Sequence, residues 1–196
     1  MANYTALAAV GDGLALHLRR AYELGGASLP SCTFAVQGAK EMRALQDSSA
    51  TCALYLYRVT HNEHVRNTPP VAPSRPLPVD LHYLFSVWMD SALGEHTVLG
   101  WVLRELARYP VLDTALLGRS AGFTPVERLQ LVPAELSLDD TSKLWQMLNA
   151  PYRPSLTYIV RNVQIGPEAA EDAPPVVASR LEFRDDVAAL AMGGAA

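Results

Sequence analysis

Between Thr5 and Leu24 the apolar residues recur at helical spacing. Leu7, Val10, Leu14 and Leu18 form one stripe of a 3.6-residue helix, and Gly25-Gly26 ends it. Gly11 and Gly13 weaken that helix by up to about 1 kcal/mol each. Strand patterns follow. Cys32, Phe34 and Val36 alternate with more polar neighbours, and 52–60 (CALYLYRVT) is apolar on both parities, as in a central strand covered on each face. The clearest period lies at 77–89. Leu77, Val79, Leu81, Tyr83, Phe85, Val87 and Met89 share one parity, which predicts a long strand with one buried face. Leu84 and Trp88 sit on the opposite parity, so that face needs a cover as well.

A helix is expected over 92–108, with Asp90 or Ser91 as N-cap, Leu99, Val102, Leu103 and Leu106 as buried stripe, and Pro110 as stop. Residues 128–132 read as a short strand. Ser137 opens another helix, whose positive end is favoured by Asp139 and Asp140 and whose Leu138, Trp145 and Leu148 face the core. A strand over 156–165 closes the periodic part of the chain. Between the second and third strands, 61–76 is a polar, proline-rich loop or arm: five of the 14 prolines fall between Pro69 and Pro78. Past Gly166 comes an acidic linker (PEAAEDAPP) and then a candidate edge strand over 176–183. The expected organisation is one α+β domain over 1–165 and a linker and tail over 166–196, without internal repeats.

At 196 residues one domain can bury a core without disulfide or metal staples. Sixteen Lys and Arg against 20 Asp and Glu give a net charge of -4, which argues against a nucleic-acid surface. Charged residues are only 18 % of the chain, against about 25 % in a typical soluble domain, as for a surface partly covered by other protein or for an Ala-rich composition alone. Two cysteines, Cys32 and Cys52, make no disulfide framework and point to a reduced compartment. No Lys or Arg precedes Arg19, so the start does not read as a secretory signal, and no apolar run is long enough to span a bilayer.

The candidate chemistry is thin. Gly118-Arg119-Ser120-Ala121-Gly122 matches the G-x-S-x-G of serine hydrolases, but Pro125 follows where a helix should start, and all five histidines lie at or before His96. His61 and His64, with Glu63 between them and His82 across the proline loop, have metal-ligand character but too few fixed partners. His82 reads better as hydrogen-bonded at a strand edge or subunit contact, and Glu95 with His96 as capping or packing at a helix start. Gly11-Asp12-Gly13 lacks the strand and the Lys-Ser or Lys-Thr of a phosphate loop. Tyr55, Tyr57 and Tyr83 could stack nucleobases, but they suit a half-buried sheet better. No catalytic, cofactor-binding or metal residue is assigned, and no cofactor.

Three stretches, in this order and spacing, resemble a known family: 78–88 (PVDLHYLFSVW), 95–112 (EHTVLGWVLRELARYPVL) and 131–165 (LVPAELSLDDTSKLWQMLNAPYRPSLTYIVRNVQI). Trp145 followed by Tyr152, Ser155 and Tyr158 is the most telling part. The family, formerly a domain of unknown function, is the N-terminal domain of cap proteins of antifeeding-prophage-type contractile injection systems. The resemblance covers about residues 3–165. It implies a phage tail-terminator-like α+β fold, a mixed β-sheet flanked by about three α-helices, and a homohexameric ring. That ring would end the polymerisation of inner tube and sheath and anchor the sheath, with the inner-tube protein, the sheath protein and itself as partners, no nucleic acid and no membrane span. It implies assembly in the bacterial cytoplasm and no catalytic residues. A baseplate or adaptor subunit of such a particle is the alternative, and a serine hydrolase built on Ser120 a remote one.

Overall fold

A computed structural model describes residues 2–25, 28–62, 76–113, 117, 121–123 and 127–166. Within them six strands form one mixed sheet in the order β1-β2-β3-β6-β5-β4. The strands are β1 (Thr33–Val36), β2 (Thr51–His61), β3 (Leu77–Trp88), β4 (Val111–Asp113), β5 (Arg128–Ala134) and β6 (Ser155–Ile165). Only β1 and β2 run parallel; every other neighbouring pair is antiparallel. Four helices flank the sheet: α1 (Ala6–Leu24), α2 (Ala39–Ala44), α3 (Ala92–Arg108) and α4 (Leu138–Leu148). The class is α+β, as the resemblance implied, with a short fourth helix beside three long ones.

The period of two in β3 decides the layering. Val79, Leu81, Tyr83, Phe85 and Val87 enter the main core, against Val10, Leu14 and Leu18 of α1 and Val98, Val102 and Leu106 of α3. Leu84 and Trp88 enter a second core on the other face, with Met42 of α2 and Leu144, Trp145 and Leu148 of α4. The cover demanded by the mixed parity of β3 is therefore there. Ser91 and Ser137 cap α3 and α4, their hydroxyls accepting from the Gly94 and Asp140 amides.

Two stripes differ from expectation. Leu103 is 48 % exposed, because the buried arc of α3 runs through Glu95, Val98, Trp101, Val102, Glu105 and Leu106 and leaves Leu103 on its rim. Trp101 sets that rotation, meeting Tyr22 edge-on at 4.7 Å and Phe34 at 5.8 Å. Leu138 is 73 % exposed: only the later turns of α4, at Leu144, Trp145 and Leu148, reach the sheet. α2, β4 and the 3-10 turn Asp47–Ser49 are too short to show a period in sequence. The 176–183 strand expectation lies outside the described residues.

His17 joins α1 to α3, its Nε2 buried without a hydrogen-bond partner and 3.6 Å from Glu105 Oε1. Burial lowers its pKa from 6.5, against the opposing pull of Glu105. Burial, then Arg58, lower that of His82 against Asp80. Both histidines therefore protonate more readily in the unfolded chain, which takes up protons first as the pH falls through about 6.5. Folding stability is expected to be full above that pH and to drop as the pH falls through the lower native values. Urea midpoints at neutral and mildly acidic pH check this. His17→Asn and His82→Asn together should flatten the dependence, and an unchanged slope would refute it.

Candidate assembly surface

The strand directions sort the connections between the two ends of the sheet. β2 and β6 finish, and β3 and β5 start, at one end, where Leu77 pairs with Ile165, His61 with Val79, and Asp113 with Arg128. The 62–76 connection, the 114–127 connection and the chain beyond Gly166 all leave from this end. The N-terminus is tied there too: Ala2 bridges to Ile165, the Gly166 amide donates to the Ala2 carbonyl at 2.7 Å, and Asn3 N donates to Ala121 O at 2.9 Å. Asp80 fixes the bulges of β3 and β6 nearby, its Oδ1 accepting from Asn62 Nδ2 at 2.9 Å and from Asn162 N at 2.8 Å. Asn162 has a φ of 58°, the left-handed conformation that asparagine tolerates best after glycine.

The sheet's two edges are unlike. On one side β4 pairs only with Arg128–Gln130 of β5, and Leu131 N donates to Pro110 O at 2.8 Å. The next outward position is Pro133, which has no N–H to offer, so further strand addition there lacks a donor. On the other side β1 covers β2 only as far as Leu54. The Phe34 carbonyl at the outer edge of β1 is capped by Arg19 Nη2 at 2.9 Å. Below Leu54 the edge of β2 is bare among the described residues, and Val59 is 45 % exposed.

At the opposite end Arg153, in the turn between α4 and β6, clasps three elements. Its two terminal nitrogens donate to Glu95 at the start of α3 and to Asp47 in the 3-10 turn, and its guanidinium lies 4.4 Å from the centre of the Trp88 ring. Arg43 Nε donates to the Leu148 carbonyl at 2.9 Å and ties α2 to α4. Large apolar side chains remain at the surface: Leu93 on α3, and Leu138, Met147 and Tyr152 on and after α4.

The candidate chemical residues that the structure describes do not converge. Gly118, Arg119, Ser120, Glu63 and His64 lie outside the described residues. His61 and His82 sit on opposite faces of the sheet: His61 pairs with Val79 of the main-core parity, whereas His82 Nε2 is hydrogen-bonded to Thr60 Oγ1 at 3.0 Å and stacks edge-on with Tyr57. Among the described residues no group of three His, Cys, Asp or Glu could hold a metal ion. His96 is exposed on α3, while Glu95 beside it is buried against Arg153. Gly11 and Gly13 lie inside α1, Gly11 against Val36 and Tyr83. Tyr83 is buried in the main core and Tyr55 and Tyr57 pack on the other face, so the three form no common platform. Burial raises the Cys52 thiol well above its usual value and pushes Cys32 up to about 11, which leaves both poor nucleophiles. A groove of about 580 Å³ runs along Ser142, Trp145, Gln146, Asn149 and Tyr152, and none of its lining side chains is charged. No helix among the described residues is long and apolar enough to cross a membrane.

Residues 9–179 match the Pvc16 N-terminal domain. The chain belongs to that family. The match of this Pvc16 N-terminal domain runs past Ile165, where the resemblance read from the sequence stops. Two solved structures share its fold. One is the sheath/tube terminator, in the extended state, of PVC, an extracellular contractile injection system: 22 % identical, TM-score 0.57, covering 95 % of this chain and 66 % of that one. The other is the tube-terminating cap of the anti-feeding prophage: 20 % identical, TM-score 0.51, covering 86 % of this chain and 59 % of that one. The chain thus spans less than two thirds of the length of either. Comparison with curated proteins gives no match.

Proposed function

We propose that this Pvc16 N-terminal domain is the structural part of a tail terminator, a cap that ends the inner tube and sheath of a contractile injection particle by shape rather than by catalysis. The observation that carries the reading is the family match over 9–179, in a chain whose fold is shared with two terminators of such particles. Tube and sheath grow by repeating one heterologous contact, and such contacts polymerise without limit unless an end is blocked. A homohexameric ring with one face complementary to the last layer, and no copy of that face on its other side, stops the series. Apolar side chains left at the surface, Leu138 and Met147 on α4 among them, suit a subunit that is covered once assembled. The 61–76 arm, whose first residue ends β2, and the tail beyond Gly166 start from one common end of the sheet and are the elements assigned to joining neighbours. The subunits assemble in the bacterial cytoplasm and travel with the particle.

Particles made without this protein are expected to have tubes and sheaths of irregular length by electron microscopy. Complete absence of tubes would instead indicate a baseplate role, and normal lengths would refute the terminator reading.

A further inference from the structure

Beyond Leu54 the outer edge of β2 has no neighbouring strand among the described residues. Asn62 N donates to Pro78 O at 3.0 Å, so by antiparallel alternation Arg58, Thr60 and Asn62 turn their backbone groups to β3, while Val59 and His61 turn theirs outward. β1 stops at the level of Leu54, and among the described residues the outward N–H and C=O groups of Val59 and His61 meet no partner. The Val59 side chain, paired with Leu81, lies on the α1 side of the sheet. An exposed, unblocked edge with a β-branched residue is a template for another strand, whereas the β5 edge is shut by Pro133.

The chain contains a segment whose residue pattern suits such a strand. In 176–183 (VVASRLEF), Val177, Leu181 and Phe183 share one parity with Ser179, and Arg180 and Glu182 lie on the other. The family match extends to 179 and so includes the start of this segment. Within one molecule, a tail leaving β6 would have to pass β3 and β2, crossing the 62–76 connection at the same end of the sheet, and folds avoid such crossings. A second copy can supply the strand without any crossing. The geometry points to residues 176–183 of one subunit adding as a strand to the Val59–His61 edge of its neighbour. This rests on the ring reading and deepens it. Donor and acceptor lie on different parts of the same chain, so the contact is heterologous and repeats around a ring.

Two full-length variants test it by sedimentation. Val59→Pro removes an outward N–H and leaves the β2–β3 ladder intact. Ser179→Pro with Leu181→Pro disables the donor and changes no residue of the described cores. Each variant alone is expected to fall from the oligomer to monomer mass. Mixed together they should form a 1:1 pair and nothing larger, because one chain keeps only its donor and the other only its acceptor. Should the Val59→Pro chain fail to fold, the donor variant alone still decides. Variants that stay as oligomeric as the parent, or a mixture that stays monomeric, overturn the strand exchange and leave the ring standing. A parent chain that is itself monomeric overturns both.

Discussion

Replacing Trp88 by alanine is expected to cost about 3–5 kcal/mol of folding stability, the range for deleting a fully buried aromatic side chain. Trp88 is the last residue of β3 and is 2 % exposed. Its ring fills the second core against Trp145, 6.2 Å away between centroids, and its Nε1 donates to Ser86 Oγ at 3.3 Å. That core has only seven buried members, so little can collapse into the space left behind. The indole is also the platform under Arg153, so the clasp loosens with it. Urea denaturation of Trp88→Ala checks the figure. Trp88→Phe, which keeps most of the volume, should cost far less, and equal losses for the two would show that the packing argument is wrong.

Arg153→Ala is expected to cost nearly as much, about 3–5 kcal/mol, for an electrostatic reason. Arg153 and Glu95 are 14 % and 12 % exposed as a pair, so removing the guanidinium strands a carboxylate away from water. Asp47, at 55 % exposure, can rehydrate and adds little. Arg153→Lys keeps the charge but has no planar fork to span Glu95 and Asp47 at once, so it should fall between. The discriminating variant is the double change Arg153→Met with Glu95→Gln, which removes the stranded charge. It should recover most of the loss in the same denaturation experiment. A double variant as unstable as Arg153→Ala would refute the stranded-charge explanation.

The fold was legible where one element carries its own period. The alternation of 77–88 named β3, and its mixed opposite parity, Leu84 and Trp88, required the second layer that α2 and α4 supply. Stripes misled where a tertiary partner set the rotation, as Trp101 does for α3, or where a helix overhangs the sheet, as at Leu138. The clasp was invisible because Asp47, Glu95 and Arg153 come from three distant stretches and no local pattern joins them. The open edge was hidden for a similar reason. That β1 stops at the level of Leu54 is a matter of long-range register, and only the pairing of Val36 with Leu54 shows it. The 61–76 stretch and the chain past Gly166 stand out in sequence by their prolines and acidic residues, whereas their start from a common end of the sheet does not.

The most direct measurement is electron microscopy of the purified full-length protein alone and after mixing with preformed inner tubes. The account predicts six-fold rings in the first sample, and in the second a single ring seated on one tip of each tube that stops further elongation. Monomers that leave both tips bare and growth unchanged would contradict it.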